Sequence, residues 1–566
     1  AELVEMGARD RLPGGAGGDE AARYQAFRRQ LAIPPSPPVN DGRPEIAVLV
    51  TAAHAGPAEV RATLGSLLDQ ANPGWTAVVH GPATLRDHPV ASLAAIDCRI
   101  AFVDADATLP DASASPLLLL VAAGTVLDRH ALGWFAFAAA RTGSVAIYCD
   151  HDAHIDDWRH GRTFEAPVFQ PTFDPDWFDQ PSDRPAAMLV DQRRIAMTQA
   201  DADPCALLHA AAAVGPVAHL PLLLASWKRT ASPGNAARPS MISASLALAP
   251  DRTDPTRPAE RIQVVIQTRD EAAMLRVAVG SLRARAAVPD ALDIVIVDNR
   301  SAQPRTHALL RGYRRRGTGT VLPFDEPFNW ARANNLAVEG GTAPLLLFLN
   351  NDTQMLSDGW DDTLRAMLAE PDIGAVGAML LYPDRSVQHA GMIFGMGTGG
   401  PVHEGIGHDE RDAGPAGRWR RRRSAVAVTG AFMGMRRDVF EAAGGFEALN
   451  FAIAFNDVDL CLRVRAAGRR IAMTPRIVAI HHESKTRGLN HTPERVAWDM
   501  EELRLLHDRW GEALFHDPAY NPHWARIGQP FDGYRTPPLI EVVDHLDRSA
   551  RARPWMPVPA RSGLGW

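Results

Sequence analysis

The residues with the most chemical reach in this sequence stand where apolar runs stop. Leu345–Leu349 leads straight into Asn350-Asn351-Asp352-Thr353, so a strand reading LLLFL would deliver two amides and a carboxylate to one exposed end. A carboxylate there can hold Mg2+ or Mn2+ against a diphosphate, because these cations combine one or two carboxylates with phosphate oxygens. The plainer reading is a turn held by Asx hydrogen bonds, and local sequence alone favours it. The run LDIVIV ends in Asp298-Asn299, a carboxylate and an amide able to accept from and donate to a nucleobase edge. IQVVIQT ends in Thr268 and is followed by Arg269-Asp270. Asp457 opens the helical run DVDLCLRVRAAG, where the backbone dipole favours an ionised carboxylate, although Asp is also a common helix cap. His481-His482 close a further apolar stretch, a place as suited to a structural pair as to ligands.

Those ends need strands to carry them. IQVVIQT (Ile262–Thr268), the helical pattern EAAMLRVAVGSLRARA and LDIVIVDN follow one another at βαβ spacing. IAVLV (Ile46–Val50), AEVRATLGSLLDQ and WTAVVHG repeat the same grammar earlier, so the chain reads as a tandem of one α/β domain. The expected organisation is an irregular arm over 1–43, a first domain over 44–230, a breaker-rich linker over 231–260, a second domain over 261–525 and a Pro- and Arg-rich tail over 526–566. A helix is predicted over 494–515, started by Pro493. In open parallel sheets ligands sit beyond the carboxyl ends of the strands, which is where Thr268, Asp298 and Asp352 fall.

Composition narrows the choice. With 566 residues, 46% apolar and 22% charged, the chain can build several ordinary cores. A net charge of −7 argues against a nucleic-acid partner, which would call for a basic face. Cys98, Cys149, Cys205 and Cys461 are scattered without a CxxC pair, which supports neither a disulfide framework nor a zinc site. AELVEMGARDRLPGG carries charges where an export signal needs an apolar core, so cytoplasmic residence is the expectation.

FNWARANNLA (Phe328–Ala337), YPDRSVQHAG (Tyr382–Gly391), FNDVDLCLRVRAAG (Phe455–Gly468), IHHESKTRG (Ile480–Gly488) and DPAYNP, ending at Pro522, occur in that order. As an ordered set they resemble family 2 of the inverting glycosyltransferases, nearest to bacterial rhamnosyltransferases and enzymes of O-antigen and surface-polysaccharide synthesis. The resemblance runs from about Ile262 to about Pro522 and implies two tandem GT-A domains, Rossmann-like sheets that bind a nucleotide sugar and a divalent cation, Mn2+ or Mg2+. It assigns Asp298 to the nucleobase, with Thr268 and Arg269 lining the same pocket, and sets Asn334 beside the nucleotide. Asn350, Asn351 and Asp352 fall on the Asp-X-Asp motif, with Asn at its first position, which leaves Asp352 the only anionic ligand there. Asp457 matches the catalytic base, although the Glu usual before it is Asn456. His481 and His482 match a late pair, of which His482 is assigned to the metal or the diphosphate.

The chemistry that follows is one displacement at an anomeric carbon. A carboxylate takes the acceptor's proton, a cation offsets charge on the departing diphosphate, and no covalent enzyme intermediate forms. The implied donor is a nucleoside-diphosphate sugar, dTDP-rhamnose by resemblance, with UDP- and GDP-sugars open. The implied acceptor is a surface glycan or a lipid-linked oligosaccharide. The first copy resembles the same family but reads LLLLVAAGT (Leu117–Thr125) where the metal motif belongs, and its second strand ends in His80-Gly81. Asp104, Asp106 and Asp203 are the substitutes it could offer. The expected role of that copy is support or acceptor binding; the other readings are a bifunctional transferase or a wholly non-catalytic scaffold. The run Arg418-Trp419-Arg420-Arg421-Arg422-Arg423 reads as a solvated loop, or more sharply as a contact for an anionic acceptor or acidic headgroups at the inner membrane face.

Overall fold

The computed structural model describes residues 16–39, 44–104, 115–157, 161–179, 183–195, 203–229, 259–397, 399–482 and 493–557. A helix, Ala16–Gln30, precedes the first sheet. That sheet contains β1 (Ile46–Thr51), β2 (Trp75–Gly81), β3 (Ile100–Asp104), β4 (Leu117–Ala122), β5 (Thr125–Leu127), β6 (Ala146–Asp157), β7 (Gly161–Val168), β8 (Ala187–Asp191) and β9 (Val217–Lys228). β1 lies between the parallel strands β2 and β4 and is buried from Ile46 to Val50, which is why its sequence is apolar on both faces. The order is β3-β2-β1-β4-β8-β6-β9-β5, with β7 beside β6.

The second sheet contains β10 (Ile262–Thr268), β11 (Leu292–Asp298), β12 (Thr320–Pro323), β13 (Leu345–Asn350), β14 (Thr353–Met355), β15 (Ile373–Leu381), β16 (Val387–His389), β19 (Arg423–Ala425), β20 (Phe432–Arg436) and β21 (Arg470–His481). β17 (Met392–Met396) and β18 (Gly400–His403) form a separate ribbon. The order β12-β11-β10-β13-β20-β15-β21-β14 repeats that of the first sheet strand for strand. The hand of each pairing repeats too: four parallel strands, then antiparallel, antiparallel, parallel and antiparallel neighbours. The doubled Rossmann-like α/β plan expected from the repeat is the fold the chain adopts. Helix Ala272–Arg285 covers one face of the second sheet by burying Leu275, Val279 and Leu282 among Ile262, Val264 and Ile266. At about 1.5–3 kcal/mol for each such side chain, that face holds β10 and β11 in register beneath the candidate site.

The expected linker lies almost wholly outside the described residues, but the chain after the second sheet is well placed. Helix Pro493–Trp510 forms close to where it was predicted and continues as the turn Gly511–Phe515. The segment beyond it folds back onto the first unit. Helix Leu539–Ser549 sets Val542 and Leu546 into one apolar cluster with Leu220, Leu222 and Leu224 of β9. Asn521 Nδ2 donates to Asp150 Oδ2 at 2.8 Å, and Arg141 pairs with Asp547 at 2.6 Å. The stretch read from sequence as a tail of no assigned role is thus part of the first unit's wall.

The arginine run is neither a solvated loop nor a free cationic surface. Arg418 pairs with Glu404 at 2.7 Å, Arg421 with Asp183 at 2.8 Å and Arg422 with Asp176 at 3.0 Å, while Arg423 also reaches Glu404. Arg420 donates to the Glu410 carbonyl at 2.6 Å. Arg418 is 3% exposed and Arg423 2%. Their acidic partners are remote in sequence, so the run looked uncompensated in one dimension. Asp174 and Asp176 of the first unit also receive the Ser424 N–H at 2.7 Å and Arg470 at 2.7 Å, making this loop a joint between the units. Among the described residues no helix is long and apolar enough to cross a membrane.

Candidate active site

The second unit gathers its polar strand ends on one edge. β10 and β11 run in register, Thr268 opposite Asp298, so the two side-chain positions adjoin. Asn351 Nδ2 donates to Thr268 Oγ1 at 3.3 Å, tying that pair to the Asn350–Asp352 turn. On the other side of the turn, Asn350 N–H donates to the Ala431 carbonyl at 3.2 Å. One residue before Ala431, the Gly430 N–H donates to Asp457 Oδ2 at 2.8 Å. Strand register, these hydrogen bonds and the short Gly430–Ala431 link therefore bring together the segments that bear Asp298, Asp352 and Asp457. Asp298, Asn350 and Asp457 are partly open to solvent, while Thr268, Asn351 and Asp352 form the floor.

Helix Asn456–Ala466 carries Asp457 in its first turn, and Oδ1 accepts the Val458 N–H at 2.8 Å. Both contacts fix the direction in which the carboxylate faces. The turn into the helix passes through Phe455 at φ 55°, a left-handed conformation costly for a bulky residue and sustained only by its surroundings. Glu502 supplies part of that hold: its carboxylate accepts the N–H groups of Ile453 at 3.3 Å and Ala454 at 2.6 Å, and Trp498 Nε1 at 2.7 Å. Burial pushes the Glu502 carboxyl above its ordinary range. Asp459, one turn face away, is spent on Arg463 at 2.8 Å and Trp510 at 2.9 Å.

At the far end, β14 and β21 pair Thr353 with His481, and His482 N–H donates to the Asp352 carbonyl at 3.0 Å. It is the His481 ring, rather than that of His482, that stands against the carboxylate, with Nε2 3.3 Å from Asp352 Oδ1. Asp352 Oδ1 is buried and accepts no hydrogen bond. His481 Nε2 lies 3.1 Å from Asn350 Nδ2, and Nδ1 lies 2.8 Å from Gln388 Oε1. A buried carboxylate oxygen without a donor, facing an imidazole nitrogen, is a donor set suited to a divalent cation that completes its shell with phosphate. No cluster of three or more acidic, His or Cys ligands occurs among the described residues, so the protein side of such a site is sparse.

Other predicted site residues fall elsewhere. Asn334 is 1% exposed and its amide donates to the Trp330 carbonyl at 3.0 Å, inside its own helix, rather than to the cleft. Asn299 holds the Phe324 and Glu326 carbonyls, both at 3.1 Å. Arg269 is exposed at the rim. Glu483–Gly488 of the late motif lie outside the described residues. Gln388 and Glu502 carried no assigned role in the sequence, whereas Gly430 stands in Val428–Ala431, whose small residues read equally as a turn of close backbone approach beneath the acceptor pocket and as ordinary packing.

The first unit lacks the corresponding groups. Matching registers put Gly81 where the second unit has Asp298, Ala122 where it has Asn350 and Trp227 where it has His481. Counting on from Ala122 places Gly124 at the position of Asp352, and counting back from Ala187, the partner of Phe432, places Pro185, which has no N–H, at that of Gly430. Asp203 caps helix Pro204–Val214 by accepting the Cys205 N–H, and Asp104 pairs with Arg86 at 2.7 Å. Asp106 lies outside the described residues.

Residues 263–444 match the family described as "Glycosyl transferase family 2", and residues 410–511 match "Glycosyltransferase like family 2". The chain is 36% identical over 267 residues to "Uncharacterized protein y4gI" of Sinorhizobium fredii, covering 47% of this chain and 29% of that protein. It is 35% identical over 280 residues to "O-antigen biosynthesis protein RfbC" of Myxococcus xanthus, covering 48% of this chain and 20% of that protein. The match thus spans less than a third of either relative. Among solved structures, the mannosyltransferase PcManGT from Pyrobaculum calidifontis, in complex with GDP-Man and Mn2+, is 18% identical with a TM-score of 0.34, over 54% of this chain and 74% of its own. GalNAc-T7 with UDP, GalNAc and Mn2+ is 13% identical with a TM-score of 0.37, over 46% and 49%. The family matches fall on the unit that carries Asp298, Asp352 and Asp457, and it is this second unit that is similar to glycosyltransferase family 2.

Proposed function

We propose that the second unit transfers a sugar, with inversion, from a nucleoside-diphosphate sugar to a hydroxyl of a surface glycan or lipid-linked oligosaccharide. The observation that supports this reading is the set of strand-register and hydrogen-bond contacts that gathers Thr268 and Asp298, the Asn350–Asp352 turn, and Asp457 around one edge. Asp298, with Thr268 and Arg269, binds the nucleobase; Asn350 and Asn351 shape the diphosphate turn. Asp352, with His481 and the neighbouring His482, holds a divalent cation, Mn2+ or Mg2+, which supplies Lewis-acid stabilisation of the leaving diphosphate. Asp457 accepts the proton of the attacking hydroxyl; its two backbone donors hold it in place, leaving lone pairs on both oxygens for the acceptor. A donor such as dTDP-rhamnose and a surface-glycan acceptor are in keeping with the relative named for O-antigen biosynthesis. The first unit supports the second instead of catalysing, since Gly81, Gly124, Trp227 and Pro185 stand in place of the groups this chemistry uses.

A thermal-shift screen of dTDP, UDP and GDP, with and without Mn2+, tests the reading. A nucleotide at 100 times its Kd adds about 2.7 kcal/mol to stability. Asp352→Asn is expected to remove the metal-dependent part of that shift. Asp457→Asn is expected to keep the shift and abolish transfer; turnover retained in that variant would reject the assigned base.

A further inference from the structure

Gln388 sits on β16, 3% exposed, and grips His481 at two points. Gln388 Nε2 is 3.4 Å from the His481 carbonyl oxygen, and Gln388 Oε1 is 2.8 Å from His481 Nδ1. The first contact fixes which way the amide faces, because a carbonyl oxygen only accepts and its partner must be the NH2 group. Oε1 is then the atom facing the ring, and an amide oxygen likewise only accepts. Nδ1 must therefore carry a hydrogen. In the neutral ring this leaves Nε2 with its lone pair, directed at Asn350 Nδ2 and toward the orphaned Asp352 Oδ1. Imidazoles that bind metals usually donate their other N–H to a nearby acceptor, which sets the tautomer and the ring plane.

We infer that Gln388 is a positioning residue for the cation site: it locks His481 in the Nδ1–H form and so presents Nε2 beside Asp352. The inference rests on the metal-assisted reading above. β15 and β16 pair through a bulge between Leu380 and Leu381, which brings the hairpin strand over the end of β21 where Gln388 meets His481. The His403 ring adds a hydrogen bond to the Gln388 backbone, further restricting the residue.

The experiment uses full-length protein and Mn2+ alone, then Mn2+ with dTDP, UDP or GDP, read by electron paramagnetic resonance of free Mn2+. Gln388→Leu keeps an apolar stem but cannot accept from Nδ1, and its Mn2+ affinity is expected to fall about 10–100-fold. Gln388→Glu keeps the acceptor and is expected to stay within about threefold of the parent. Metal-free nucleotide affinity is expected to be the same in all three proteins. Nitrogen-15 imidazole spectra of metal-free protein at pH 8, with His481 assigned through its own substitution, are expected to show the Nδ1–H tautomer in the parent and in Gln388→Glu. An Nε2–H tautomer in the parent, or unchanged Mn2+ affinity in Gln388→Leu, would overturn the inference while leaving the transferase reading intact. Absence of Mn2+ binding by the parent, with and without nucleotide, would overturn the metal-assisted reading and this inference with it.

Discussion

Gly430 has two duties, of which the second leaves no room for a side chain. Its N–H holds Asp457 Oδ2, and a methyl group built on it would stand 2.7 Å from the Trp330 ring. Trp330 is 8% exposed and packed edge-to-face on Phe446, so the ring has little room to retreat. Gly430→Ala is expected to displace the peptide, release Asp457 and reduce kcat by about 10–100-fold, of the order of removing a well-placed catalytic hydrogen bond, with nucleotide affinity kept. A kcat within twofold of the parent would show that this backbone contact is dispensable. At this scale the sequence was readable where a polar residue ended an apolar run. Asp298 and Asp352 announced themselves that way, and Asp457 by opening a helical run. Gln388 and Gly430 did not, because their partners lie 93 and 27 residues away and neither type is unusual in a loop or short strand. Asn334 misled for the converse reason: its motif named the right helix but not the direction of the amide.

Between residues and the whole stands the helix Pro493–Trp510, which touches the segment around Asp457 twice. Glu502 holds the backbone before Phe455, and Trp510 holds Asp459 after it. The strained φ at Phe455 gives the loop a reason to relax if either grip is lost. Glu502→Ala leaves the Ile453 and Ala454 N–H groups without their acceptor, at a cost of about 1–3 kcal/mol where no water replaces it. Transfer is expected to show this as a lower kcat with the donor KM little changed, since the donor-side contacts at Thr268 and Asp298 belong to other elements. Glu502→Asp, shorter by one methylene, is expected to recover part of the loss; equal losses of kcat and donor affinity would place the damage in global folding instead. The helix itself was visible from its periodicity and from Pro493. That it braces the base was not, because neither Glu502 nor Trp510 departs from ordinary helix composition. The arginine run makes the same point with the opposite sign, a conspicuous feature whose meaning lies in Glu404, Asp176 and Asp183, remote acids that no local reading links to it.

The repeat explains the molecule as a whole. Two copies of one sheet were legible in the sequence because the strand and helix patterns restart, and the loss of groups in the first copy was legible in VAAG and in His80-Gly81. How the copies join was not, since the join uses buried acids of β6 and of the loops after β7 against residues hundreds of positions later. Trp227, standing in the place of His481, lines a narrow crevice with Arg421 of the second unit, whose guanidinium lies 4.5 Å from the Trp177 ring centroid. At the position that corresponds to His481, the first unit thus offers a ring to the contact with the second. Asp150 is fully buried where the C-terminal segment folds back on β6. It accepts from Gln170 N–H at 2.8 Å and from Asn521, and lies 2.8 Å from His219 Nε2. Burial nonetheless pushes its carboxyl up to about 7, while the same burial pushes His219 down to about 3. The sign follows from proton counting. Between an unfolded value of about 3.9 and the folded value near 7, the folded state binds more protons at Asp150 than the unfolded chain does. Its contribution to stability therefore falls as pH rises through that window, whereas that of His219, neutral when folded, rises from about pH 3 to about 6.5 and is flat beyond. Asp150→Asn removes the first trend and keeps the second. Urea denaturation at pH 5 and pH 8 is expected to show the variant gaining on the parent by about 2–3 kcal/mol over that interval, at about 1.4 kcal/mol per pH unit for a single proton. A difference between the two proteins that does not change with pH would mean that Asp150 is ionised throughout, held by Asn521 and the Gln170 N–H strongly enough to cancel the effect of burial.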